Sequence, residues 1–239
     1  MRVNWNYIKM MFLLGLVVFL YAFASNRNAK RDISKPHVKF TGESHLFVSN
    51  ETVSKLLIQN YPTIKNIYKE TLDLNLLENV LKSNSLIKNA EVYLTINGTL
   101  HAKIEQKTPL ARVSTNASYY IDDQGFYMPL SNNYSARVPL VTGYIEKNNL
   151  KNAYTLAKKI NEDPFLKKHV IEIHQDINRA LFLKLRECNF LVQLGSIKFL
   201  DKKINNLKAF YKISSKEKTL NSYSKVNLQF ENQVICTKT

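Results

Sequence analysis

The densest set of side chains able to do acid–base or metal chemistry is His169-Val170-Ile171-Glu172-Ile173-His174. At the strand period of two, Glu172 and His174 fall on one face. A zinc protease needs His-Glu-x-x-His on a helix, where the two imidazoles stand one turn apart. This spacing does not supply that, so Glu172 and His174 read as a surface strand pair. Asp122-Asp123 reads as a turn before it reads as a carboxylate pair. His37, His45 and His101 are scattered along the chain. There is no Gly-x-Ser-x-Gly elbow, no Cys-x-x-Cys and no Gly-rich phosphate loop. No catalytic, cofactor-binding or metal-ligating residue is assigned. Cys188 and Cys236 are the only cysteines. Outside the cytoplasm a disulfide between them is permitted, on condition that their Cα atoms come within bridging distance.

What remains is binding, and the element that must position a binding body is the apolar run 10–24, which carries no charged residue. In a bilayer every backbone amide must be satisfied within the segment, so such a run is helical. A span needs about 17–25 residues. Residues 7–24 meet that if Lys9 snorkels to the headgroups. Trp5, Tyr7 and Tyr21 suit the aromatic belts of an anchor. The alternative is a cleaved signal peptide, with Arg2 and Lys9 as its basic region and Ala22-Phe23-Ala24 as its cleavage pattern. Basic residues flank the run on both sides, so charge does not orient it. Size favours export of the body, because the N-terminal tail is too short to be a domain.

The chain has 239 residues, 45% of them hydrophobic, enough to build a core in one large or two ordinary domains. Its net charge is +15, with 34 Lys and Arg against 19 Asp and Glu. Behind an export anchor, the acidic partners of such a chain are lipid headgroups or acidic protein faces. No basic run with interleaved aromatics marks a base-stacking groove, so nucleic acid is not expected.

Taken in order, Val38-Lys39-Phe40 alternates as a short strand. Ser49 can cap a helix carrying Val53, Leu56 and Leu57, which Pro62 stops. Residues 63–72 are ambiguous. Asp73 can cap a second helix with Leu74, Leu77, Val80 and Leu81 on one face. Alternating runs at 90–96 and 100–106 flank Asn97-Gly98, a strong hairpin signature. The order is β-α-α-β-β. Further on, 120–122 and 125–127 form a hairpin, and Pro139 and Gly143 bound a short apolar run. A helix follows with Leu150, Tyr154, Ala157 and Ile160, ending near Asp163-Pro164. Strands are expected at 170–173, 180–185 and 190–194, a basic helix at 197–212, a polar loop at 214–222, and final strands at 226–230 and 233–235 around Asn232.

The β-α-α-β-β order resembles a POTRA domain, two helices on one face of a three-stranded sheet. The runs Ile87-Lys88-Asn89-Ala90-Glu91-Val92 and Ile104-Glu105-Gln106-Lys107-Thr108-Pro109-Leu110-Ala111-Arg112-Val113 sharpen the likeness. So do Tyr119-Tyr120-Ile121-Asp122-Asp123-Gln124-Gly125 and Val138-Pro139-Leu140-Val141-Thr142-Gly143. Together, behind an N-terminal anchor, they resemble the FtsQ (DivIB) family of bacterial cell-division proteins, particularly its Bacteroidetes form. The resemblance implies an α+β fold: a tail at 1–9, a single transmembrane helix at 10–24, a linker at 25–37, a POTRA domain at 38–113, and a mixed, largely antiparallel β domain at 114–239.

It also implies a non-enzymatic divisome scaffold with no cofactor and no small-molecule substrate. The chain is then single-pass in the inner membrane at the division septum, N-terminus cytoplasmic and body periplasmic. Its partners are FtsL- and FtsB-like single-pass proteins, captured by strand addition to a sheet edge. The family's partner strand matches Val226, Asn227, Leu228, Gln229 and Phe230, with Phe230 where Tyr is common. Read from period alone, Val226, Leu228 and Phe230 share a face and equally well form core. Other readings stay open: a POTRA-bearing chaperone of outer-membrane assembly or secretion, a membrane-anchored envelope enzyme, and a secreted basic binding protein.

Overall fold

A computed structural model describes residues 5–29, 34–42, 46–60, 72–231 and 233–239. The expectations at Pro62, at 63–71, at 30–33 and at Asn232 lie outside these, as do residues 1–4. Helix α1 (Trp5–Ala29) contains the apolar run, and the stretch Trp5–Arg27 is long and apolar enough to cross a membrane. The helix is longer than 10–24 at both ends. The chain then divides into two units, the first ending at Gln106 and the second beginning at Lys107.

In the first unit, β1 (Ser34–Thr41), α2 (Asn50–Asn60), α3 (Leu74–Lys82), β2 (Ile87–Leu94) and β3 (Thr99–Gln106) follow the expected β-α-α-β-β order. The sheet runs β1-β3-β2, with β1 parallel and β2 antiparallel to β3. Strand β3 alternates without a break, burying Leu100, Ala102 and Ile104 under Val53, Leu57, Leu77 and Leu81 of the helices. The Asp73 carboxylate accepts from the Leu76 N–H at 3.1 Å and caps α3. Buried Gln106 accepts from the N–H groups of Phe47 and Val48 (2.9 and 3.2 Å) and donates to the Val48 carbonyl. It thereby fixes the entry to α2 against the end of β3. The expected linker at 25–37 is shorter than proposed, since α1 runs to Ala29 and β1 starts at Ser34.

The second unit holds β4 (Pro109–Ser114), β5 (Ser118–Asp122), β6 (Tyr127–Met128), β7 (Leu140–Gly143), α4 (Lys151–Glu162), α5 (Pro164–His169), β8 (Val170–Gln175), β9 (Leu181–Leu185), β10 (Leu191–Gly195), α6 (Leu200–Lys216), β11 (Tyr223–Asn227) and β12 (Ile235–Lys238). They form one nine-stranded sheet in the order β12-β11-β10-β9-β8-β7-β4-β5-β6. Pairs β4–β7, β7–β8 and β10–β11 are parallel and the rest antiparallel, so the α+β, largely antiparallel expectation is met. One face carries the helices: Leu156 and Ile160 of α4, Leu166 of α5, and Ile204 and Leu207 of α6 join one buried cluster with Val141, Ile173, Leu183 and Val192. Removing such side chains from water stabilises by about 1.5–3 kcal/mol each.

Two expectations are corrected here, the domain boundary and the end of the basic helix. The domain boundary lies after Gln106, not Val113, because 109–113 pairs with β5 and β7 of the second sheet. Leu110, Ala111 and Val113 are all buried, as a strand interior to a sheet requires. Helix α4 ends at Glu162, at the expected Asp163-Pro164 boundary, and Pro164 then starts α5, where the missing N–H costs nothing at the first helical position. Helix α6 runs on to Lys216, into the expected loop.

Candidate functional site

The residues singled out for partner capture sit at one end of the nine-stranded sheet. Strand β11 contains Val226 and Asn227 and stops there; Leu228, Gln229 and Phe230 lie beyond it. β11 is not an edge. It pairs with β10 through Leu191–Lys225, Val192–Val226 and Gln193–Asn227, and with β12 through Val226–Cys236 and Asn227–Ile235. Val226 and Leu228 are fully buried, so the core reading holds for both. The Leu228 N–H donates to the Gln193 carbonyl at 2.8 Å, and the Asn227 side chain accepts from the Gln229 N–H at 2.9 Å. That Asx turn breaks the alternation and leaves Phe230 45% exposed instead of inward. Gln229 closes over Gly195, where a Cβ would stand 2.6 Å from its side-chain nitrogen.

The edge is β12. Among the described residues it pairs only with β11. Ile235, Thr237 and Lys238 are exposed, while Cys236 packs on the core. An outermost strand turns half its backbone donors and acceptors away from the sheet. Sequence reasoning recognised the run ending at Ile235 as a strand but had no means of ordering it outside 226–230. The one available signal was the polar, charged end Thr237-Lys238, a common way to keep an edge soluble. Both cysteines are free thiols. Burial raises the pKa of each, so neither is an activated nucleophile.

The helix-free face of this sheet is ordered across its width. Arg112, Leu140, Glu172, Lys184, Leu191, Lys225 and Thr237 lie directly opposite one another on successive strands from β4 to β12. Glu172 and His174 do share this face, as expected. Thr142 of β7 ties them: its hydroxyl donates to Glu172 at 2.7 Å and lies 2.9 Å from His174 Nδ1. With the hydroxyl proton on Glu172, His174 donates from Nδ1. The trio braces parallel strands rather than presenting a base to solvent. Toward the other edge, the Tyr120 hydroxyl accepts from the Ala136 N–H at 3.0 Å and meets Ser135 Oγ at 3.2 Å.

Asp122 is fully buried in a turn. It accepts from the N–H groups of Gln124 and Phe126 and pairs with Lys107 at 2.8 Å. This is the turn role read from sequence. The histidines are not all scattered: parallel pairing of β1 and β3 sets His37 beside His101, ring centroids 5.2 Å apart, with Tyr93 stacked on the far side of His101. His45 lies outside the described residues. Among the described residues no three His, Cys, Asp or Glu side chains converge as metal ligands.

The helical layer has its own polar anchors. Asp163 caps α5 through the N–H groups of Phe165 and Leu166 and forms an ion pair with Lys208 of α6. Burial pushes its carboxyl up, but Lys208 and the two N–H groups outweigh it and hold the pKa below the ordinary value. Lys203 is buried, its ammonium donating to the carbonyls of Leu194 and Ser196 at 2.8 Å each; burial lowers its pKa. His169, wedged between Phe165 and Tyr211, is likewise lowered by burial.

Two family models match the chain. One, described as FtsQ/DivIB, C-terminal related, covers residues 108–237, more than half of the sequence; the other, a POTRA-like domain, covers residues 38–105. The two matches meet at the structural boundary after Gln106. None of the curated proteins matches the chain.

Proposed function

This chain belongs to the FtsQ/DivIB C-terminal related family and carries a POTRA-like domain ahead of it, and we propose from that premise a scaffold of the bacterial divisome that works by strand capture. The family is one of non-enzymatic division scaffolds with divisome proteins as partners. In the reading proposed here, α1 holds the chain in the inner membrane with its N-terminus in the cytoplasm. The POTRA and β domains stand in the periplasm at the septum. An extended segment of an FtsL- or FtsB-like single-pass protein adds to β12 as a tenth strand. Main-chain hydrogen bonds supply affinity and the side chains of alternate residues supply selectivity.

The observation that carries this reading is the outermost position of β12, with three of its four side chains exposed. The partner-binding role of 226–230 becomes a supporting one: Val226 and Leu228 anchor β11 in the core so that β12 is held rigid. The test is depletion of the chain in its host with cell length and septa scored by microscopy. Undivided filaments with segregated nucleoids are expected. Normal septation under full depletion contradicts the reading.

A further inference from the structure

Helices α5 and α6 flank an open groove of about 720 Å³. Its floor is made of rings. Phe165 and His169 of α5 and Tyr211 of α6 pack on one another, with centroids 4.7, 4.8 and 5.1 Å apart. All three are half-buried, so part of each ring still lines the groove. The α6 wall carries Lys208, Lys212, Ser215 and Lys216. The three lysines recur at every fourth position and so form one stripe along the helix, about 6 Å per step.

The charges on this stripe are unevenly matched. Lys208 pairs with Asp163, the only carboxylate among the described lining residues. Lys212 and Lys216 are exposed, and among the described residues neither lies within ion-pair distance of a carboxylate. Around His169, Lys168 and Arg186 outnumber Glu187, so the surroundings are cationic as well. Like charges four residues apart repel and weaken a helix. The helix dipole favours a cation in the last turn, which accounts for Lys216, but its field falls off before Lys212. An anionic ligand lying in the groove neutralises both ammonium groups at once.

We propose that the α5–α6 groove docks an acidic segment of a partner protein. Two of its carboxylates pair with Lys212 and Lys216, and an apolar side chain between them rests on the rings of Phe165 and Tyr211. Carboxylates four residues apart on a helix, or two apart on a strand, match the lysine step of about 6–7 Å. Small-molecule sites enclose most of their ligand's surface. This groove is open to solvent and seats a chain instead. It uses no residue of β12 and stands independently of strand capture.

Fluorescence anisotropy with the full chain in a non-ionic detergent tests this. The probe is a labelled alanine-based helical peptide of about 20 residues, with glutamate at every fourth position and one phenylalanine between two of them. Its glutamine counterpart and glycerol phosphate, the head group of an anionic lipid, are the comparisons, all at one ionic strength. The glutamate peptide is expected to bind and the glutamine peptide is not. Lys212→Glu combined with Lys216→Glu lowers the affinity by about tenfold or more, one decade for two exposed ion pairs reversed. Ser215→Trp fills the groove at constant charge and lowers it similarly. Lys151→Glu combined with Lys158→Glu changes the net charge as much, outside the groove, and leaves binding intact. All five positions are exposed, so the fold is kept. An equal loss in the Lys151 and Lys158 variant means attraction by net charge alone and overturns the proposal. So does full binding in either groove variant, or no binding of the glutamate peptide. Displacement of the peptide by glycerol phosphate assigns the groove to a lipid head group and overturns it too.

Discussion

At one edge of the nine-stranded sheet, β6 offers two residues; at the other, β12 offers four. The β6 edge is closed by the chain itself. Met128 is fully buried, Tyr127 lies under Lys147, and Asp122 clamps the β5–β6 turn through two backbone N–H groups. The segment leaving β6 is hooked by the Tyr120 hydroxyl through Ala136. The β12 edge has none of this cover among the described residues, and its Ile235, Thr237 and Lys238 side chains are exposed. A short, covered edge is what a protein does to prevent pairing. A longer, uncovered one at the opposite end of the same sheet is consistent with an edge kept for a partner. One sheet therefore has a covered edge and an uncovered one, and the difference between them is what experiments should attack.

The largest effect is expected at the support beneath the open edge. Leu228→Asp places a carboxylate where no exposure is left. Cavity formation and charge burial together cost about 4 kcal/mol or more, and the β domain should unfold in a thermal melt. A folded Leu228→Asp that still captures partners would show that the β11 end is not the platform described.

Asp163→Asn acts in the helical layer, away from both edges. Loss of the Lys208 ion pair and a weaker cap should lower stability by about 1 kcal/mol at neutral pH, with capture unchanged. The sign with pH follows from the depressed folded-state pKa. The stability is present above the ordinary carboxylate value of 3.8 and is lost as pH falls through the lower folded-state value. Melts of the two proteins should therefore converge in strong acid. A gap that persists at low pH would mean that Asp163 acts through shape rather than charge.

Tyr120→Phe bears on the closed edge. It removes one buried hydroxyl from the Ala136 N–H, for about 1 kcal/mol. Hydrogen exchange should quicken in residues 129–139 while β12 stays protected as before. Quickening at β12 instead would mean that the two edges are not separately secured.

Much of this was legible in the sequence because it is local. The Asn97-Gly98 hairpin, the Asp73 cap, the turn at Asp122 and the periodicities of α3 and α4 are each written within a dozen residues. The strand order was not, because three of its pairs are parallel and join distant segments, as β10 joins β11 across α6. Period two correctly put Val226 and Leu228 on one inward face. It failed at Phe230 because the Asn227 side chain bends the chain there, and it carried no information on whether that strand had one neighbour or two. Helix α5 has six residues, too few for a periodic pattern to emerge.

Proline scanning of β12 asks whether partners are captured at that edge. Along a strand successive amides point to opposite sides. Of Thr237→Pro and Lys238→Pro, one therefore removes a bond to β11 and the other only an outward donor. The variant with an unchanged melting temperature is expected still to lose co-purification of its single-pass partners from membranes. If both variants retain the partners while the fold is intact, β12 is not the receiving edge.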